Sequence, residues 1–394
     1  MFNPIYPIRK FQIDKRLKSK LKQLKLSYPD LLKDFEEHEN AIGAFSFPID
    51  FPLENAKDVV DLQGLLYKLM QSQNELIDFL QFWEKSRQIF NFEADLTQML
   101  SLTDVDSIPW KSIKLPYDNF YISFGSFGQE SFTSNDPYQK YKFIIDGAYV
   151  KRIKGKSPIL PEDSIQIQFT SKLVSPTYKK AIVSQPEGYL LGEPLYEYIL
   201  SGEKEQSVKT AIENGEKAYT QYCTKFDENN YSIALEMAQK YGVAGNENKK
   251  LNLHLDKYLR GKDIIRPFLP TLFNCIFYLT QYPDKIVEKF QDNTPEKLLK
   301  KYKNASSKKI KENTLSKINS HGYHKIKFVK SIIKKDSSSK DTEKEVSPHW
   351  RRGHWRNQPY GEGLNSSKFI WINPTMVRKD ISNPTSGHVY DVDK

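Results

Sequence analysis

Cysteine is almost missing from this chain: Cys223 and Cys275 are the two in 394 residues. Two thiols cannot build a disulfide framework, and neither sits at a metal or redox spacing, so a reducing cytoplasm is the expected compartment. A charged segment leading into an apolar core is missing at the start as well. Met1-Phe2-Asn3-Pro4-Ile5-Tyr6-Pro7 is broken by prolines and passes straight into Arg9-Lys10, which argues against secretion. Long hydrophobic runs are scarce. The one candidate, Ile264 to Tyr282, contains Arg266, Pro267, Pro270, Asn274 and Gln281 and reads as a buried helix, not a membrane span. Catalytic signatures are lacking too: there is no Walker-type phosphate loop, no H-E-x-x-H and no G-x-S-x-G elbow. Asp104 and Asp106 have no second catalytic feature at a meaningful spacing. No catalytic residue and no cofactor is therefore expected.

What is present is positive charge in one place. The chain has 59 Lys and Arg against 49 Asp and Glu, a net +10. Between Lys285 and Lys379 there are 23 basic against 9 acidic residues, leaving 36 against 40 elsewhere, so the whole excess lies near the C-terminus. An anionic partner is implied, nucleic acid first and a ribosomal surface second, against the plainer reading of a lysine-rich solvated tail.

With 38% apolar residues the chain can build one large or two medium domains. Leucines at Leu17, Leu21 and Leu24, and a stripe from Val59 to Phe82, give a 3.6-residue period over the first hundred residues. The period changes to two near Leu115. Phe120, Ile122 and Phe124 alternate with polar neighbours, and Asp146-Gly147 between two apolar runs predicts a hairpin turn. Ile165, Ile167 and Phe169 give a further strand, and Tyr178 to Val183 a shorter one. A helical pattern returns from Pro194 to about Tyr302, with a polar break near Gly245. From Asn304 the chain turns Lys- and Ser-rich and too poor in apolar residues to offset its ordering entropy, so a flexible linker is expected, with at most a short element at Ile326 to Ile333. The expected class is α+β: a helical part over 1–110, an antiparallel sheet of four to five strands with covering helices over 111–303, the basic linker over 304–345, a β-hairpin over 346–380 and a tail over 381–394.

Order should resume at Pro348-His349-Trp350-Arg351-Arg352-Gly353-His354-Trp355-Arg356, which packs three arginines, two histidines and two tryptophans into nine residues. Indole beside guanidinium is recognition chemistry, because an aromatic face binds a cation or stacks on a base. As one strand through His349 to Arg356, a loop at Gln358 to Ser367 and a second strand through Phe369 to Val377, it sets Trp355 opposite Trp371 and leaves arginines to grip phosphate or peptide carbonyls. The competing reading docks the hairpin back on the sheet, its arginines paired with carboxylates such as Asp146 or Glu162. His321, His324, His349 and His354 raise a structural or hydrolytic zinc site as a further alternative, opposed by the lack of a nearby cysteine.

Those same residues carry a resemblance. Pro348-His349-x-Arg351-Arg352-Gly353-His354-Trp355, a connection at Tyr360-Gly361-Glu362-Gly363 and Trp371-x-x-Pro374-x-x-Val377 resemble the ending of the type V-A anti-CRISPR family that suppresses biogenesis of its target nuclease, and of phage and mobile-element proteins sharing it. Leu115 to Ile122 and Phe268 to Leu279 are similar more faintly, so the likeness runs from about 115 to 379. It implies a non-enzymatic protein that recognises a nascent polypeptide at the ribosome and brings about loss of its mRNA. His349, Arg351, Arg352, His354, Trp355, Arg356, Tyr360 and Trp371 are the expected binding residues, with nascent polypeptide or RNA as partner. A direct RNA- or DNA-binding regulator and a metal-dependent nuclease are the alternatives.

Overall fold

A computed structural model describes residues 58–64, 88–124, 132–133, 142–153, 164–173, 196–203, 205–243, 250–291, 294–320, 323–332 and 349–377. Most of the expected helical N-terminal part, the strand at Tyr178 to Val183, the polar break after Ala244, His321 and the tail lie outside them. Residues 59–64 are helical, with Val59 and Leu62 buried against Ala234 and Ala238.

The class is α+β, as expected. The first elements are β1 (Ile89–Phe92), α1 (Ala94–Ser101) and β2 (Thr103–Asp104), then β3 (Asn119–Ser123), β4 (Phe132–Thr133), β5 (Lys142–Ile153), β6 (Ser164–Leu173) and β7 (Tyr196–Leu200). Next come α2 (Val208–Tyr241), α3 (Leu253–Ile265), α4 (Phe268–Gln281), β8 (Ile286–Phe290), α5 (Glu296–Lys303), α6 (Lys308–Ser320) and β9 (Lys325–Val329). The C-terminal strands are β10 (His349–Arg351), β11 (Gly353–Tyr360), β12 (Ser366–Ile372) and β13 (Thr375–Val377).

The central sheet runs β7-β6-β5-β3-β1-β9-β8, with β4 paired to β5. Its β3, β5, β6 and β7 pairings are antiparallel, as the alternation predicts, but β1 pairs parallel with both β3 and β9. The sheet is therefore larger and more mixed than expected. Parallel pairing needs a distant partner, which no local pattern advertises.

Asp146-Gly147 does not turn the chain. It lies inside the continuous strand β5, where the register with β6 shifts between Ile145 and Gly147. A β-carbon on Gly147 would fall 2.3 Å from the Ile122 carbonyl oxygen, so the glycine serves a close approach to β3. Asp146 stays in place because its carboxylate accepts the Thr170 hydroxyl at 2.7 Å.

Two strands interrupt the expected helical stretch. β7 closes one edge with Tyr198 and Leu200 fully buried, and β8 pairs with β9. The expected linker is also ordered in part, since α6 and β9 occupy 308–320 and 325–329. Few apolar residues suffice there because they are well placed: Ile318, Ile326 and Val329 are fully buried. The Lys327 stem lies across aromatic rings, its Nζ 5.5 Å from the Tyr117 centroid.

Helix α4 has a buried residue at nearly every position, which marks it as the centre of the fold. Tyr278 touches Phe92 of the sheet on one side and Trp371 of the C-terminal strands on the other. Helix α2 begins at Ser207, whose hydroxyl accepts the Thr210 N–H at 3.1 Å, and ends at left-handed Gly242, φ 69°. Buried Asp227 in α2 accepts the N–H groups of His254 and Leu255, both at 3.0 Å, and so seats the first turn of α3. No helix among the described residues is long and apolar enough to cross a membrane.

Candidate functional site

The C-terminal residues form two small sheets. β11 pairs antiparallel with β12 and parallel with β2, while β10 pairs antiparallel with β13. In place of one strand through His349 to Arg356, the chain breaks at Arg352, and the hairpin loop is shorter than expected. Trp355 stands directly opposite Trp371, the pairing that the alternation predicted.

Alternation along β11 divides the signature into two faces with different tasks. Gly353 and Trp355 point into the protein, whereas Arg352, His354 and Arg356 are exposed. Inward, Trp355 is 7% and Trp371 3% exposed, so neither indole offers its face to a partner. Their polar edges are satisfied by one network. Trp355 Nε1 donates to Asn274 Oδ1 at 2.7 Å, and Asn274 Nδ2 donates to the carbonyls of Leu100 and Thr103 at 2.9 and 2.8 Å. Trp371 Nε1 donates to Thr103 Oγ1 at 3.0 Å, and that hydroxyl donates to the Met99 carbonyl at 2.8 Å. Every buried donor in this chain of contacts has an acceptor, the condition under which a polar core is stable.

The rings also lock to α4. Phe277 meets Trp355 edge-on with centroids 4.6 Å apart, and Tyr278 meets Trp371 at 5.6 Å and 88°. Gly353 allows the strand to sit this close, because a β-carbon there would lie 2.6 Å from Thr103 Oγ1 and 2.8 Å from Pro374 Cδ. Four signature residues, Gly353, Trp355, Trp371 and Pro374, are thus scaffold.

The outward face differs in chemistry. Arg351, Arg352, His354 and Arg356 are exposed, and among the described residues none of the three guanidiniums has an ion pair. Of the carboxylates expected to pair with the arginines in the competing reading, Asp146 is engaged by Thr170, and Glu162 lies outside the described residues. Tyr360 is 48% exposed at the far end, with Lys368 Nζ 5.4 Å from its ring centroid. His349 is paired through its backbone with Val377.

Carboxylates rim this face at one end. Asp104 is level with His354 in the β2–β11 register. Burial, and then the Asp104 carboxylate, push Asp106 above the usual carboxylate range, while Lys209 and Arg352 pull it back. Among the described residues no group of three or more His, Cys, Asp or Glu is placed to hold a metal ion. The surface can bind an anion or a peptide carbonyl. Thr103 and Lys368 escaped the sequence reading, and Asn274 entered it only as a polar residue that argues against a membrane span, although an asparagine inside the most apolar helix was a usable signal for a buried network.

Residues 90–379 match the family model of the AcrVA2-like proteins, described as the anti-CRISPR type V subtype A2 family. Among solved structures, the crystal structure of AcrVA2 aligns over 91% of this chain and 97% of that one, at 13% identity and a TM-score of 0.35, too low to carry an argument. No curated protein matches.

Proposed function

Because the chain belongs to the AcrVA2-like family of type V subtype A2 anti-CRISPR proteins, we propose that it is a non-enzymatic recognition protein whose C-terminal outer face grips a nascent polypeptide and thereby brings about loss of the client's mRNA. The observation that carries this reading is the set of exposed guanidiniums at Arg351, Arg352 and Arg356 standing on a fully hydrogen-bonded core. A guanidinium not committed to a carboxylate among the described residues is available for bidentate contacts to a client's carboxylates or carbonyls.

Spacing supports a polypeptide as the object. Alternate residues of a strand lie about 6.7 Å apart, so His354 and Arg356 on β11 repeat with the period of an extended peptide laid alongside, with Arg352 just before the strand begins. The indoles fix that spacing from below and take no direct part in the grip.

The test is co-purification of the tagged chain from translating cells, with identification of bound peptide and RNA. An Arg351→Ala/Arg352→Ala variant should recover no client polypeptide and should leave the client's message at its uninhibited level. Recovery of the same client by that variant would sink the reading.

A further inference from the structure

The strongest exposed charge in the described fold lies away from the signature, on the hairpin of α5 and α6. From Glu296 to Glu312 there are seven lysines and two glutamates, and no arginine. Lys300 pairs with Glu296, and Lys308 is 3.9 Å from Glu312. Lys297, Lys301, Lys303, Lys309 and Lys311 are exposed and have no carboxylate partner among the described residues. Lys311 Nζ instead lies 5.1 Å from the Tyr302 ring centroid, and Tyr302 packs edge-on against Phe290 at 5.1 Å, which ties the charged helices to β8.

Folding does not account for this charge. Thr314 and Ile318, in the second half of α6, are its buried anchors, so residues 308–313 stand clear of the body. The first turn of α6 contains no acidic residue but has Lys308, Lys309 and Lys311 in or beside it, where the helix dipole disfavours cations. In α5 the dipole favours Lys300, Lys301 and Lys303, so the two helices bring together one set of lysines that the backbone stabilises and one that it opposes. What both sets share is exposure, a lysine ridge along the hairpin across which a polyanion would offset the cost of the second.

We propose that the α5–α6 hairpin is a second contact surface, binding the phosphodiester backbone of RNA. Lysine without arginine presents point charges with no planar fork, which suits sequence-independent contact with phosphates. The choice of RNA over DNA rests on the function proposed above, in which a client is met while its message is being translated. The polypeptide is then held at the arginine face and the RNA at the lysine ridge.

The experiment is ultraviolet crosslinking of the full chain in a translating extract, beside fluorescence anisotropy with an unstructured single-stranded RNA oligonucleotide over a range of salt. The variant Lys297→Gln/Lys301→Gln/Lys303→Gln/Lys309→Gln changes only exposed side chains and leaves the Lys311–Tyr302 contact intact. It should keep the parent's circular dichroism and melting temperature, lose the RNase-sensitive crosslink, and bind the oligonucleotide at least about tenfold more weakly, with a log–log salt slope shallower by about two to three. An unchanged crosslink and slope would overturn the proposal, as would a crosslink removed by DNase and not by RNase. The Arg351→Ala/Arg352→Ala variant keeps the two proposals separable: loss of client with RNA retained is the expected result. If that variant loses RNA while the lysine variant keeps it, the ridge is not the RNA surface.

Discussion

Trp355 and Trp371 face each other across β11 and β12 with centroids 6.3 Å apart and planes 30° from parallel, yet their N–H groups bond in different directions. One reaches Asn274 on α4 and the other Thr103 on β2, so the pair joins the hairpin to two separate elements. Removing either ring should loosen both attachments. Trp355→Ala is expected to cost about 3–5 kcal/mol of stability and to weaken client binding by disordering the arginine face, measured by urea denaturation and pull-down.

Asn274 is the hinge of that arrangement. In Asn274→Leu the buried Trp355 N–H and the Leu100 and Thr103 carbonyls all lose a partner, which should cost about 3 kcal/mol or more. A urea midpoint within experimental error of the parent's would show that the network contributes nothing.

Gly353→Ala places a methyl group against the Thr103 hydroxyl, the Pro374 ring and, at 3.0 Å, the Ile372 carbonyl oxygen. The backbone there tolerates any residue, so the expected loss of about 1–3 kcal/mol is purely steric. Calorimetry of the variant checks it.

The arginines should behave in the opposite way. Exposed and without ion pairs among the described residues, Arg351 and Arg352 should support little of the fold, and their double alanine variant should unfold within about 1 kcal/mol of the parent while binding fails. A much lower melting temperature would make them structural.

Glu288 gives a pH signature. Burial opposes its ionisation, but hydrogen bonds from Lys325 and Lys327 outweigh that and hold its carboxyl below the usual range. A lowered pKa in the folded state means that the stabilisation is complete above the ordinary carboxylate value of 4.5 and is lost as pH falls through the lower, folded value. Glu288→Gln should therefore lower stability at neutral pH, where the ionised pair is fully formed, and converge on the parent below the folded value, which flattens the acid side of the stability curve. An acid limb as steep as the parent's would remove the pair from the account.

The sequence made the Trp355–Trp371 pairing readable because alternation on both strands fixes which side chains meet. It made α4 readable by its apolar run. It did not separate scaffold from contact residues within the signature, since Trp355 and Arg356 are adjacent letters on opposite faces, and only the body beneath decides which face is buried. The Asp146-Gly147 dipeptide misled for a related reason: a glycine accommodates a close neighbour as readily as a turn. The short element expected at Ile326 to Ile333 overlaps β9, but its pairing was not legible, because its buried side chains are few and Lys327 lies over Phe90 and Tyr117.

The position of β1 sets the order of assembly. It lies between β3, a near neighbour in the chain, and β9, with Phe90 opposite Lys327, and the indoles that close the far side of α4 arrive later still. A growing chain that has made β1 and β3 carries an unpaired strand edge until β9 is made, and α4, once made, stays uncovered until the C-terminal strands follow. Fragments ending before β9 should therefore leave the β1 edge open and aggregate where the longer chain folds.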